Sequence, residues 1–207
     1  ATYTFRMGVL QTPFAEAFDG VAAPAFPAGW VAANAVGAAP LWVTTTTNVD
    51  SAPNAAFVND PAATSDKRLD SPPIPIQTAS AQLSFRNAWA LESGFDGAVL
   101  EISINGGAFQ DILAAGGSFV AGGYNGSISA SFGNPIGGRQ GWTNLSGGVA
   151  ATPTYITTTV NLPASAAGLP VVLRFRMGSD SSVARTGWWI DGLTIADGYE
   201  CCIGCTD

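Results

Sequence analysis

Residues 2–10 alternate in character: Tyr3, Phe5, Met7 and Val9 fall on one side, Thr2, Thr4, Arg6 and Gly8 on the other. That period of two predicts a half-buried β-strand, which Pro13 interrupts. Residues 14–19 predict a second short strand, and 41–45 (Leu41-Trp42-Val43-Thr44-Thr45) a third. From residue 80 the alternation strengthens. Leu83, Phe85 and Trp89 share one face, against Ser84 and Arg86. Leu100, Ile102 and Ile104 alternate with Glu101 and Ser103, and Asn105-Gly106-Gly107 then signals a hairpin that returns through 109–113. Ile156, Thr158, Val160 and Leu162 form another such set. Val171, Leu173, Phe175 and Met177 alternate with Arg174 and Arg176. The segment 188–195 is apolar on both faces, as a strand covered from both sides would be.

The intervening stretches read differently. The Ala-rich run 22–39 holds Pro24, Pro27, Gly29 and Gly37, which forbid a long helix. The segment 48–75 contains five prolines and most of the local charge, and predicts an irregular surface loop. Residues 114–150 are Gly-rich without a strong period, and predict a long decorated loop with short strands. Eight or more short strands without βαβ spacing give an all-β fold, an antiparallel sandwich or barrel with little helix.

Composition narrows the function. The chain has 207 residues, 11% charged, with a formal net charge of −7, one lysine and no histidine. A length of this order suggests one domain. Without histidine there is no Ser-His-Asp or Cys-His site and no histidine-bound zinc. An acidic chain with a single lysine makes nucleic acid a poor partner. No stretch of about 20 apolar residues escapes polar, Gly or Pro breaks, so no transmembrane segment is expected. The chain opens Ala1-Thr2-Tyr3 without an initiator Met, as a mature secreted product or an excised fragment would.

Four pieces carry a family resemblance. They are Phe18-Asp19-Gly20 followed by Pro27-Ala28-Gly29-Trp30; the run 95–107, which begins Phe95-Asp96-Gly97 and ends Asn105-Gly106-Gly107; Leu173-Arg174-Phe175-Arg176 with Asp180; and Gly187-Trp188-Trp189-Ile190-Asp191. In order and spacing this set resembles the MAM-like, choice-of-anchor-type jelly-roll modules that accompany secreted bacterial metallopeptidases of the immune-inhibitor-A type. The resemblance covers roughly residues 14–197. It implies a jelly-roll β-sandwich, an extracellular location and a structural calcium. It implies no catalysis, because the peptidase activity of such proteins resides in a separate zinc domain.

Asp191 shares a strand face with Trp189, Leu193 and Ile195 and is expected to be buried, where a carboxylate needs a cation or several donors. One reading is a Ca²⁺ ligand, with Glu16, Asp19 and Asp180 supplying further oxygens. The other is an aspartate paired with Arg174, Arg176 or Arg185, or capping backbone amides. Glu92, Asp96, Glu101 and Asp111 are the remaining carboxylates that a glycoside hydrolase could use as a pair. Glu101 sits on the polar face of a strand beside a tight hairpin and Asp96-Gly97 reads as turn chemistry, so a non-enzymatic protein is expected. Of the six tryptophans, Trp142 in the Gly-rich region, beside Tyr124 and Arg139, is the one expected to be exposed, as a platform for carbohydrate.

The remaining expectations concern the ends. Residues 1–12 read as an extension strand, 13–197 as the jelly roll, and 198–207 as a tail carrying all three cysteines, Cys201, Cys202 and Cys205. Tyr3, Phe5, Met7 and Val9 are candidates for strand addition to a neighbouring subunit, and the cysteines for a cross-link. The functional expectation is therefore an extracellular structural or adhesive protein that self-associates, as in a surface filament, or meets a cell-surface protein or glycan. The alternative is a carbohydrate-binding accessory module of a secreted hydrolase.

Overall fold

The structure is a computed structural model and describes residues 8–201. In chain order its strands are β1 (Gly8–Leu10), β2 (Phe14–Glu16), β3 (Val31–Val36), β4 (Val43–Thr45), β5 (Ala55–Asp60), β6 (Ser65–Asp70) and β7 (Ile74–Pro75). They continue with β8 (Gln82–Ala90), β9 (Gly97–Ile104), β10 (Gln110–Asp111), β11 (Ser118–Ala121), β12 (Gly126–Ser127) and β13 (Gln140–Gly141). The last are β14 (Gly148–Val149), β15 (Thr152–Pro153), β16 (Ile156–Asn161), β17 (Pro170–Ser179), β18 (Arg185–Ala196) and β19 (Tyr199–Cys201). Among the described residues, helix is confined to two 3₁₀ turns, Ser131–Gly133 and Ala164–Ala166.

Two antiparallel sheets face each other as a jelly-roll β-sandwich. One runs β10-β9-β17-β6-β3, with β7 also paired to β17; the other runs β11-β16-β8-β18-β5-β4, with β2 paired to β18. Strand β18 changes partner along its length, pairing with β5 through Ile190 and with β2 from Leu193. The register shifts between Asp191 and Thr194 accommodate this change. At the other end of the strand, the bulge at Gly187 packs so closely on β5 that a Cβ would lie 2.0 Å from the Val58 carbonyl oxygen.

The alternating sets meet between the sheets. Leu83, Phe85, Leu100, Ile102, Val160, Leu173, Phe175 and Met177 are all buried in one core with Trp30, Trp42, Trp142 and Trp188. Trp189 faces the other way, under Phe57, Val49 and Tyr155, so β18 is covered on both faces as its composition predicted. The hairpin at Asn105-Gly106 forms with positive φ at both residues, the conformation that Asn and Gly adopt at least cost.

The segment 48–75 departs from expectation. It is not a surface loop: it contains β5 and β6, one in each sheet. Its prolines sit outside these two strands, so none of them removes a donor from the β5 or β6 ladders.

Candidate functional site

Four carboxylates converge at one end of the sandwich. Asp60 ends β5, Glu92 and Asp96 bracket the crossover from β8 to β9, and Asp180 follows β17. Ligand oxygens of Glu92, Asp96 and Asp180 lie within 4.8 Å of one another. Backbone amides orient part of the set: Asp96 Oδ1 accepts from the Asp180 amide at 2.7 Å and Asp180 Oδ1 from the Ser182 amide at 2.8 Å. Asp60 Oδ2 accepts from the Glu92 amide at 3.3 Å. Asp60 Oδ1, Glu92 Oε2 and Asp96 Oδ2 are buried and have no hydrogen-bond donor, and Asp60 and Asp96 are 1% and 0% exposed.

Burial, reinforced by the charge of Asp96, pushes the Asp60 carboxyl up to about 9. Burial also raises Asp96 to about 6, against the opposing hydrogen bond from the Asp180 amide. Burial, then the charge of Asp180, raises Glu92 as well. The three buried oxygens left without a donor require a proton shared between carboxyls, as between Asp60 and Asp96, or a cation. An all-oxygen set whose atoms stand less than about 5 Å apart fits Ca²⁺, which takes 6–8 oxygens at about 2.3–2.6 Å.

Of the residues expected to bind calcium, only Asp180 belongs to this cluster. Asp191 is buried, but its oxygens accept from the amides of Asp50, Ser51 and Gly192 and from the Ser51 hydroxyl. Its charge is met by backbone dipoles rather than by Arg174, Arg176 or Arg185. Asp19 accepts from the Asn54 amide, and Glu16 from the Phe18 amide. Glu16 holds a local turn and Asp19 ties its loop to the start of β5, so the structure does not gather Glu16, Asp19 and Asp191 with Asp180. Sequence reasoning missed Asp60 because it assigned no strand to 55–60. It considered Glu92 and Asp96 only as acid–base residues. The available signal was Glu92-x-x-x-Asp96 directly after a strongly alternating strand.

A second polar feature covers the outer face of the six-stranded sheet. Arg176 binds Asp66 and Glu101, Arg139 binds Glu101 and Asp111, Arg68 binds Asp66, and Arg174 binds Asp70. The Arg174 guanidinium also lies 3.5 Å from the centroid of the Phe109 ring. Burial pushes the Asp66 carboxyl up, but the Arg176 and Arg68 guanidiniums outweigh it and hold the group below the usual carboxylate range. The arginine side chains of this ladder remain 15–28% exposed, so solvent reaches them.

Tyr124, Arg139 and Trp142 do come together, but not as an exposed platform. Trp142 is 0% exposed, wedged among Phe85, Trp89, Phe119 and Trp188, with its indole N–H given to the Gly122 carbonyl. The Gly-rich segment folds back and delivers the indole into the core. The Tyr124 ring packs edge-on against Trp142, and its hydroxyl is tied to Leu100 and Asp111. Arg139 alone of the three joins the outer ladder.

Tyr3, Phe5, Met7, Cys202 and Cys205 lie outside the described residues. Within them, β1 pairs antiparallel with β19 of the same chain, Val9 opposite Glu200 and Gly8 opposite Cys201. The strand at 8–10 is therefore paired within its own chain. Among the described residues no helix is long and apolar enough to cross a membrane.

No family model matches the chain, and no curated protein matches it. Solved structures do. The chain is similar in fold to the cleaved adhesin domains of Lys-gingipain from Porphyromonas gingivalis. The K1 domain aligns at 15% identity and a TM-score of 0.50, over 91% of this chain and 99% of that one. The K3 domain aligns at 14% identity and a TM-score of 0.51, over 91% and 100%. A carbohydrate-binding module solved with β-1,4-galactotriose aligns at 10% identity and a TM-score of 0.48, over 83% and 90%. At these identities the likeness to the gingipain domains establishes the jelly-roll sandwich, and the MAM-like resemblance stands at that level of fold.

Proposed function

We propose that this chain is a non-catalytic extracellular binding module. In this reading the outer face of the six-stranded sheet takes a glycan, and a calcium ion held by Asp60, Glu92, Asp96 and Asp180 fixes the loops at one end. The observation that carries it is the half-buried ladder of arginines and acids. Holding eight charged groups partly out of water is costly for a surface with no other task. Their planar guanidiniums and carboxylates are pinned by one another, and the arginines with Asp70 and Asp111 still reach solvent. A sugar diol, which gives from one oxygen and accepts at the next, is matched by such an array.

The carboxylates with raised pKa supply no general acid for hydrolysis in this reading. Asp60 and Asp96 are almost wholly inaccessible, and a catalytic acid must touch the glycosidic oxygen. Calcium's role is to neutralise the cluster and tie β5 and β8 of one sheet to β9 and β17 of the other. The internal pairing of β1 favours this reading over the filament.

The test is affinity electrophoresis and glycan-array binding of the chain beside Arg174→Ala and Arg176→Ala, with circular dichroism as the fold control. Binding by the parent that both variants lose, while they keep β structure, is the expected result. Binding unchanged by both, or no binding to any glycan, refutes the glycan assignment.

A further inference from the structure

Lys67 is the only lysine in the chain, yet it is 1% exposed. It sits on β6 between Asp66 and Arg68, which belong to the outer ladder, and its own side chain turns inward. Among the described residues it forms no ion pair. Its Nζ has two acceptors instead: the Pro40 carbonyl at 2.9 Å and Asn59 Oδ1 at 2.6 Å. An ammonium has three N–H groups to place, a neutral amine two. The two partners satisfy the neutral amine and leave its lone pair free. Burial lowers the Lys67 pKa, with the charge of Asp60 opposing, which favours the same form. A neutral, desolvated lysine amine is a nucleophile.

The electrophile is already in contact. A carbonyl bond is about 1.23 Å long, so an Nζ bonded to Oδ1 stands within about 4 Å of the Asn59 carboxamide carbon. That approaches the separation of about 3–3.5 Å from which buried groups react at high effective molarity. Asn59 lies on β5 of one sheet and Lys67 on β6 of the other, joined only by the turn 61–64. We propose that Lys67 and Asn59 join in an intramolecular isopeptide bond.

In the step, the Nζ lone pair forms a bond to Cγ of Asn59, and the bond from Cγ to Nδ2 breaks. The carboxamide nitrogen leaves as ammonia, taking a hydrogen from Nζ. Oδ1 stays as the carbonyl oxygen of the new secondary amide. No electron is gained or lost, and no co-reactant is required. The bond would pin the two sheets to each other where the chain crosses between them. The chain's cysteines lie only at 201, 202 and 205, so disulfides cannot do this between β5 and β6. The inference does not rest on the glycan reading.

The test is the mass of the purified, reduced, wild-type chain. The expected result is a mass lower than the sequence mass by one ammonia, with peptide mapping giving a branched peptide that joins Lys67 to Asn59. Trypsin should fail to cleave after Lys67. Lys67→Arg and Asn59→Ala should each restore the mass of their own sequence. A wild-type chain at its full sequence mass overturns the proposal. So does an ammonia loss that persists in Lys67→Arg, since that places the loss elsewhere, as in a succinimide at Asn105-Gly106. The wild-type mass and peptide map decide the matter even where a variant fails to fold.

Discussion

Chelation should destabilise this protein by an amount that can be estimated in advance. The perturbation is EGTA against a graded addition of Ca²⁺, read by the melting temperature at pH 7.5. Without a cation, the Asp60 and Asp96 carboxyls, at about 9 and about 6, must share protons in a buried site with Glu92 beside them. A cation that binds only the folded state adds about 2.7 kcal/mol at a hundredfold excess over its Kd. A domain of this size gains about 2–4 °C per kcal/mol, so saturating calcium should raise the melting temperature by about 5–11 °C. Asp96→Asn sharpens the test because its two effects oppose each other. In EGTA it removes one like charge from a crowded site and should be neutral or stabilising. In calcium it removes a ligand and should erase most of the shift. A melting temperature indifferent to calcium, with no calcium bound by calorimetry, would refute the assignment of these oxygens to a cation.

Other consequences follow from the same geometry. In EGTA, stability should fall as pH rises from about 4 to 9. Raised folded-state carboxyls favour the fold while protonated, below their unfolded value near 3.8, and that contribution is lost as pH climbs through about 6 and about 9. Calcium should flatten this slope in pH-resolved melting curves. Trp142→Ala should cost about 3–5 kcal/mol in urea unfolding, because it empties a fully enclosed indole site; a loss below 1 kcal/mol would show that the indole is not packed as described. Asp191→Ala strips the acceptor from the Asp50, Ser51 and Gly192 amides and should cost about 2–4 kcal/mol. It should leave the calcium shift intact, which separates its turn-capping role from the cation cluster.

The sandwich was legible because its strands carry their own signature. Leu83, Phe85, Leu100, Ile102, Leu173 and Phe175 are apolar at a spacing of two, and each is buried where the alternation placed it. The same reasoning lost β5 and β6 for a definite reason. Leu69 alternates with Arg68 and Asp70, and Val58 is followed by Asn59 and by Asp60 on its own face, so a polar outer ladder and an acidic corner diluted the pattern, and flanking prolines suggested a loop. The charge that marked this segment as surface sits in the salt-bridge ladder and the acidic corner. Trp142 misled in the opposite direction, since glycines around it were read as freedom. Gly97 and Gly141 instead make room for close packing: a Cβ at Gly97 would meet Ile128 Cδ1 at 2.2 Å, and one at Gly141 would meet it at 2.7 Å. The carboxylate cluster was the least legible feature, because its four side chains come from three separate junctions that only the folded topology brings together.

The two features share their strands, which leads to one more expectation. Strand β17 carries Arg174 and Arg176 on its outer face and runs directly into Asp180. Strand β9 starts just after Asp96 and carries Glu101, the partner of Arg176 and Arg139. Asn134 adds a cross-tie, its amide donating to the carbonyls of Phe95 and Gly178 at 2.7 and 2.9 Å. A cation at the strand ends would therefore hold the register of the ladder without touching it. Glycan affinity should weaken in EGTA by about fivefold or more, the lower end of ordinary coupling between sites. The glycan should in turn tighten calcium binding by the same factor, because the linkage is reciprocal. Titration calorimetry of each ligand with and without the other measures both arms. Equal glycan affinity in calcium and in EGTA would show that the sheets hold the ladder unaided and that the cation serves stability alone.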